Sequence, residues 1–314
     1  MSLRGFASSG LARLPPGARR QILHRLGRYA PWEVGFDFTP PVPRPGEETG
    51  PPDFVGIGMQ KAGTTWWFDL LLQHPGISSH PEVHKERHFF DRFGARSMGA
   101  SDVTDYHGWF PRPVGTITGE WTPDYLAYPW VPALMQRAAP DARLLVLLRD
   151  PVERFRSGLD HDQRAGHHSD GRSIADAMQR GYYHRALAEW SGYFARQQFL
   201  VLQFERCVLD IQGQLDRTCR HLGLPPHRAS SSAATQRPRS EQRPPLDDEL
   251  RQRLVDLYAD DVSALVADRP DIDLTLWPNF AHLAVEPGPS DVDSGADSGD
   301  AGSVGDTNSP TTRR

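Results

Sequence analysis

The sequence predicts an α/β protein three layers deep, with a central parallel sheet and helices on both of its faces. Three observations lead there. Short apolar runs at 53–59 (DFVGIGM), Leu144–Leu148 and Gln198–Glu205 lack the polar alternation of a half-exposed strand, so both of their faces need cover. The first two run straight into a loop and then a helix-like stretch. Strand and helix signals alternate along the chain, the order expected when crossover helices join parallel strands. A chain of 314 residues can bury the core of one large domain of this kind, or of two small ones.

Taken in order, residues 1–32 hold six arginines, among them Arg19, Arg20, Arg25 and Arg28, and no acid. That segment reads as a basic helix beside the main domain. The alternative is peripheral membrane contact through residues 1–30. Residues 38–52 (FTPPVPRPGEETGPP) form a proline-rich linker, so 1–51 stands apart from a domain at 52–284. The domain opens with the 53–59 strand, a glycine-containing loop, and an unbroken helical tract, TTWWFDLLLQH, that stops at His74-Pro75. Thr116–Leu126 (TITGEWTPDYL) reads as a short strand and a loop. The Leu144–Leu148 strand is followed by Pro151 at a helix's first turn. A helical stretch over 181–197 precedes the last strand, and 246–267 has the spacing of one or two surface helices. From 285 to 314 glycine, serine, aspartate and proline dominate, which predicts a disordered acidic tail.

The formal charge of −5 is mostly this tail: six acids from Glu286 onward against Arg313 and Arg314 leave −4 there and −1 elsewhere. A local basic site fits that balance, and nothing in it favours a nucleic acid partner. Lysine occurs only at Lys61 and Lys85, against 33 arginines. Arginine replaces lysine poorly where a compact ammonium must approach one oxygen, so two lysines this close together mark candidate chemistry. Cys207 and Cys219 have neither disulfide-framework nor metal-ligand spacing. With no apolar run long enough to span a bilayer and no signal-peptide core, a cytoplasmic location is expected.

The first loop, Gly58-Met59-Gln60-Lys61-Ala62-Gly63-Thr64-Thr65, is P-loop-like. Gly58 and Gly63 have the spacing of the nucleotide-triphosphate loop, but Thr64 stands where its lysine belongs, and Lys61 lies inside the turn. Backbone N–H groups and the helix start can still wrap an anion. No metal-positioning acid ends the Leu144–Leu148 strand, which runs into Arg149 instead; this weighs against a nucleotide-dependent phosphotransferase. Arg149 at a strand end and Ser157 on the following helix can converge on a second phosphate.

Together these segments resemble the sulfotransferases that use 3′-phosphoadenosine 5′-phosphosulfate (PAPS), especially the heparan sulfate sulfotransferases and their bacterial relatives. KAGTTWW is similar to that family's 5′-phosphosulfate loop and RDPVERFRSG to its 3′-phosphate motif. GEWTPDYL and LGLP (Leu222–Pro225) match two further segments, in the same order, over roughly 52–280. The resemblance implies PAPS as co-substrate without a metal. It implies that Lys61, Ala62, Gly63, Thr64, Thr65 and Trp66 hold the phosphosulfate and that Arg149 and Ser157 hold the 3′-phosphate. Arg237 and Arg239 are the candidates for the adenine side, where the match is poor. HPEVHKERHFFDRF is similar to the E-x-H-F-F-D signature, which makes Glu86 the general base, with Lys61 stabilising the leaving phosphate. His88 is the rival base; otherwise it is a structural hydrogen-bonding residue among core aromatics. Glu86 could also be a solvated acid beside Lys85 and Arg87. Trp121 and Tyr125 line an acceptor cleft or simply pack. The acceptor expected is a hydroxyl or amine of a carbohydrate, lipid or natural product, and a non-catalytic PAPS- or PAP-binding protein is the reading from another class.

Overall fold

A computed structural model of the chain describes residues 39–79, 85–164, 170–230 and 245–284. Arg237, Arg239, the basic segment 1–30 and the acidic tail lie outside the described residues.

Four strands form one sheet: β1 (Phe54–Gly58), β2 (Gly119–Trp121), β3 (Arg143–Leu148) and β4 (Phe199–Gln203). Their order is β2-β1-β3-β4 and every pairing is parallel, with Phe54 opposite both Gly119 and Arg143, and Leu144 opposite Phe199. All four carboxyl ends therefore face the same edge, where ligands of open α/β sheets bind. The apolar runs behave as the sequence predicts. Every residue of β1, β2 and β4 is buried, as is β3 after Arg143. Each large apolar side chain taken out of water there contributes about 1.5–3 kcal/mol, and cutting one back, as in Leu145→Ala, costs about 2–5 kcal/mol.

The helices cover these strands. α1 (Thr64–Leu71) starts at Gly63 and buries Trp66, Trp67, Phe68, Leu70 and Leu71. α2 (Ala100–Gly108) and α3 (Val131–Ala138) flank β2 in sequence. α4 (Pro151–Arg164) begins with proline at its first position, and the Asp150 carboxylate accepts from the Val152 and Glu153 N–H groups at 2.9 and 3.2 Å, the usual satisfaction of orphan donors. α5 (Gly171–Gln179) and α6 (Tyr183–Ser191) lead to β4, which runs into α7 (Phe204–Leu209) and α8 (Ile211–His221). The LGLP segment ends α8. Gly223 takes φ +73°, the Leu224 N–H reaches Cys219 O at 2.8 Å and the Gly223 N–H reaches Arg220 O at 3.1 Å. This left-handed cap needs a glycine.

Two details refine the sequence reading. The 246–267 stretch is one helix, α9 (Asp248–Asp268), capped by Asp247, and it buries Leu254, Val255, Tyr258, Val262 and Leu265. The proline-rich linker contributes Glu47–Glu48 to a short antiparallel ribbon with Arg112–Pro113. Cys207 and Cys219 are both free and buried. Among the described residues, no helix is long and apolar enough to cross a membrane.

Candidate active site

The site is assembled from three loops at the carboxyl edge of the sheet. The first joins β1 to α1. Its Met59 N–H bonds Leu147 O at 2.9 Å, tying the turn to the neighbouring strand. Lys61 has φ 67° and Gly63 φ 90°, so the backbone curls through the left-handed region twice in three residues. The Trp67 N–H returns to Gly63 O at 3.2 Å. Thr64, Thr65 and Trp66 then form the first turn of the helix. The Trp66 side chain is wall rather than contact, 5% exposed and packed edge-on against Trp67 and Phe204. Burial lowers the Lys61 ammonium from its ordinary value, opposed by the carboxylates of Asp162, Glu86 and Asp124.

The second loop carries the E-x-H-F-F-D residues. Phe89 and Phe90 are 1% and 0% exposed and anchor it in the core. The Glu86 N–H extends the end of β2 by bonding Trp121 O at 3.1 Å, and the Phe89 N–H donates to the Tyr125 hydroxyl at 2.9 Å. Among the described residues, the non-glycine residues with positive φ are Lys61, Glu86 and His88. A backbone conformation that side chains disfavour by about 1–2 kcal/mol thus falls on the three residues assigned catalytic roles from sequence.

Charges alternate through this loop. Lys85 donates to Glu86 Oε1, and the other Glu86 oxygen lies 3.8 Å from His88 Nε2. His88 Nδ1 bonds Asp91 Oδ2 at 2.9 Å and has Asp124 Oδ2 at 3.8 Å. Asp124 Oδ1 accepts from Arg180, whose Nε reaches Asp176 at 2.9 Å. The nearby His88 ring, and Lys85 beside it, hold the Glu86 carboxyl down at about 2 against the opposing effect of burial. Burial works against the His88 imidazolium as well, yet Asp91 and Glu86 push it up to about 10. At neutral pH the pair is a carboxylate and an imidazolium.

Asp124, Arg180 and Asp176 escaped the sequence reading. Asp124 sits inside the GEWTPDYL segment and could have been singled out as an acid beside a matched motif; Arg180 lies 56 residues further on and carries no local signal. Trp121 and Tyr125 pack: both are 0% exposed, and Trp121 Nε1 bonds Gly58 O at 3.1 Å. Buried Glu120 accepts from the Tyr106 and Thr122 hydroxyls at 2.8 and 2.6 Å and so braces the loop from beneath.

The third loop follows β3. Arg149 is 3% exposed, its guanidinium lies 5.0 Å over the Phe204 ring, and its buried Nε has no hydrogen-bond partner among the described residues. Desolvation lowers its affinity for its own proton. A buried cationic donor left open is costly unless an anion completes it. Ser157, two turns into α4, is 7% exposed on the same helix's buried side. Since β1 and β3 are paired neighbours, about 5 Å apart, the Lys61 turn and Arg149 emerge side by side from the sheet. The Lys61 ammonium and the Arg149 guanidinium thus stand as two separate cationic groups at one edge of the sheet.

A family model described as "Sulfotransferase domain" matches residues 51–242. A mouse protein, heparan sulfate glucosamine 3-O-sulfotransferase 6, is 32% identical over 189 residues, covering 55% of this chain and 52% of that protein. Its human counterpart is 30% identical over 231 residues, covering 68% and 64%. The chain spans about half the length of the first of these relatives. The crystal structure of a sulfotransferase from Alicyclobacillus acidocaldarius shares the fold, with TM-score 0.58 and 24% identity over 72% of this chain and 98% of that one. The match extends over well more than half of the sequence and includes all three loops, so the chain belongs to the sulfotransferase domain family.

Proposed function

We propose that this protein transfers the sulfuryl group of PAPS to a hydroxyl or amine of a carbohydrate, lipid or natural-product acceptor, with residues 52–284 as the transferase domain. The observation that carries the reading is the pairing of an open, buried Arg149 donor with the Lys61 turn on adjacent parallel strands. The Lys61, Ala62, Gly63, Thr64, Thr65 and Trp66 segment takes the 5′-phosphosulfate, chiefly through backbone N–H groups and the threonine hydroxyls. Arg149 and Ser157 take the 3′-phosphate.

In the reaction the acceptor oxygen or nitrogen bonds to sulfur while the bond from sulfur to the phosphate oxygen breaks. The acceptor's proton passes to Glu86, and the charge that grows on the departing phosphate oxygen meets the Lys61 ammonium. His88 is held as an imidazolium, so its ring has no free lone pair; it orients Glu86 rather than serving as base. Lys85 occupies one Glu86 oxygen. Drawing Lys85 to the sulfonate frees that oxygen for the acceptor and restores basicity to the carboxylate. The relatives named for heparan sulfate support a glycan among the acceptor classes. Two free buried cysteines fit a reducing compartment such as the cytoplasm.

The test is a thermal-shift comparison of adenosine 3′,5′-bisphosphate (PAP) with ATP, with and without magnesium, followed by incubation with labelled PAPS and a cell extract. Metal-independent stabilisation by PAP together with label on an acceptor is expected. Stabilisation by ATP only with magnesium refutes the reading, and PAP binding without any transfer of label leaves a binding protein.

A further inference from the structure

The peptide unit that joins Arg149 to Asp150 is gripped at both ends by side chains from distant parts of the sequence. Its carbonyl oxygen accepts from the Tyr183 hydroxyl at 2.8 Å, and its N–H donates to Glu205 Oε1 at 3.0 Å. The second Glu205 oxygen accepts from Trp277 Nε1 at 2.8 Å, and the Trp277 ring lies edge-on to Tyr183 at 6.1 Å. Asp150 is tied in turn: one carboxylate oxygen caps α4, and the other accepts from the Asn279 N–H at 3.1 Å and its side-chain amide at 2.9 Å. Tyr183, Asp150 and Trp277 are each 0% exposed.

A peptide plane has one soft rotation on either side. Here those rotations are ψ of Arg149 and φ of Asp150, and pinning the plane's carbonyl and N–H together removes both. The direction in which the Arg149 side chain leaves the backbone is therefore fixed before any ligand arrives. The guanidinium itself is held less firmly: its ion contact to Glu153 is 3.9 Å long, and among the described residues its Nε has no hydrogen-bond partner. Two of the anchoring residues, Trp277 and Asn279, lie beyond the 51–242 stretch matched by the family model. Such a clasp is preorganisation: the entropy of aiming an arginine is lost on folding rather than on binding.

We propose that Tyr183, Glu205 and Trp277 are positioning residues that aim Arg149, and that this clasp gives the nucleotide site its preference for a 3′-phosphate. The inference rests on the reading that Arg149 receives that phosphate, and the two separate experimentally. Affinities of the full chain for PAP and for adenosine 5′-monophosphate, which lacks the 3′-phosphate, are compared by calorimetry in wild type, Arg149→Ala, Tyr183→Phe and Glu205→Gln. Wild type should prefer PAP, and Arg149→Ala should erase the preference. Tyr183→Phe and Glu205→Gln should each weaken PAP about ten-fold, the effect of one lost buried hydrogen bond, while the monophosphate changes by less than about two-fold. Loss of one hydroxyl in Tyr183→Phe keeps the test available if Glu205→Gln does not fold, which a melting curve decides first. A preference that survives Arg149→Ala overturns the nucleotide reading. A preference erased by Arg149→Ala but untouched in the other variants overturns the clasp, as does equal weakening of both nucleotides, which marks a general loosening of the fold.

Discussion

Replacing Asp91 with asparagine tests the electrostatics of the site most directly. Asp91 Oδ2 is 2.9 Å from His88 Nδ1, and both side chains are about 15% exposed. At an effective dielectric constant of about 20, a unit charge at that distance favours the imidazolium by about 6 kcal/mol, equivalent to about four pH units. Partial exposure screens some of this, and Asp124 at 3.8 Å keeps part of the field. His88 should therefore fall from about 10 in wild type by about 2–3 pH units. The asparagine retains a hydrogen-bond partner, so the ring stays in place. NMR titration of the His88 ring carbons reads the value directly. Because the folded value lies above the free one of 6.5, the ion pair's contribution to stability is complete below pH 6.5 and is lost as pH rises through about 10. Wild-type melting temperature should accordingly decline between those values, and the variant should lose less over the same range. A wild-type His88 that titrates near 6.5, or an Asp91→Asn protein with an unchanged titration, would refute the argument. A rising limb in the wild-type pH–rate profile near 6–7 would return His88 to the role of base.

Two further substitutions probe the chemistry. Glu86→Gln should lower kcat by about 10²–10⁴-fold, the range for a lost general base, while calorimetric PAP affinity is retained; full turnover in this variant would place the base elsewhere. Lys61→Ala should reduce transfer by about 10²–10³-fold through lost stabilisation of the leaving oxygen. Lys61→Arg should recover little of it, since a wide planar guanidinium does not fit a turn that presents a compact ammonium at φ 67°. Equal rates in the lysine and arginine proteins would show that any charge there suffices.

The family's loops and most of the sheet are legible in the sequence because they depend on local patterns. Continuous apolar runs demand cover on both faces, a Gly-rich turn before an apolar helix makes an anion cradle, and Pro151 and Gly223 mark helix boundaries through their own backbone preferences. Lys61, Glu86 and His88 stood out for composition and motif, and the same three carry the left-handed backbone. The proton's place could not be read that way. Whether Glu86 or His88 is the base turns on how closely the motif's own Glu86 and Asp91 approach the imidazole and on Asp124, which arrives from the loop after β2 and is held by Arg180 at the end of α5. The same holds for the clasp on Arg149, whose members are separated by up to 128 residues in the chain and meet only because β3, β4 and the 273–279 segment share one edge of the sheet. One-dimensional pattern fixes what a residue's neighbours in sequence require. Charge and hydrogen-bond partnership depend on distance in space, which only the packing of the layers sets.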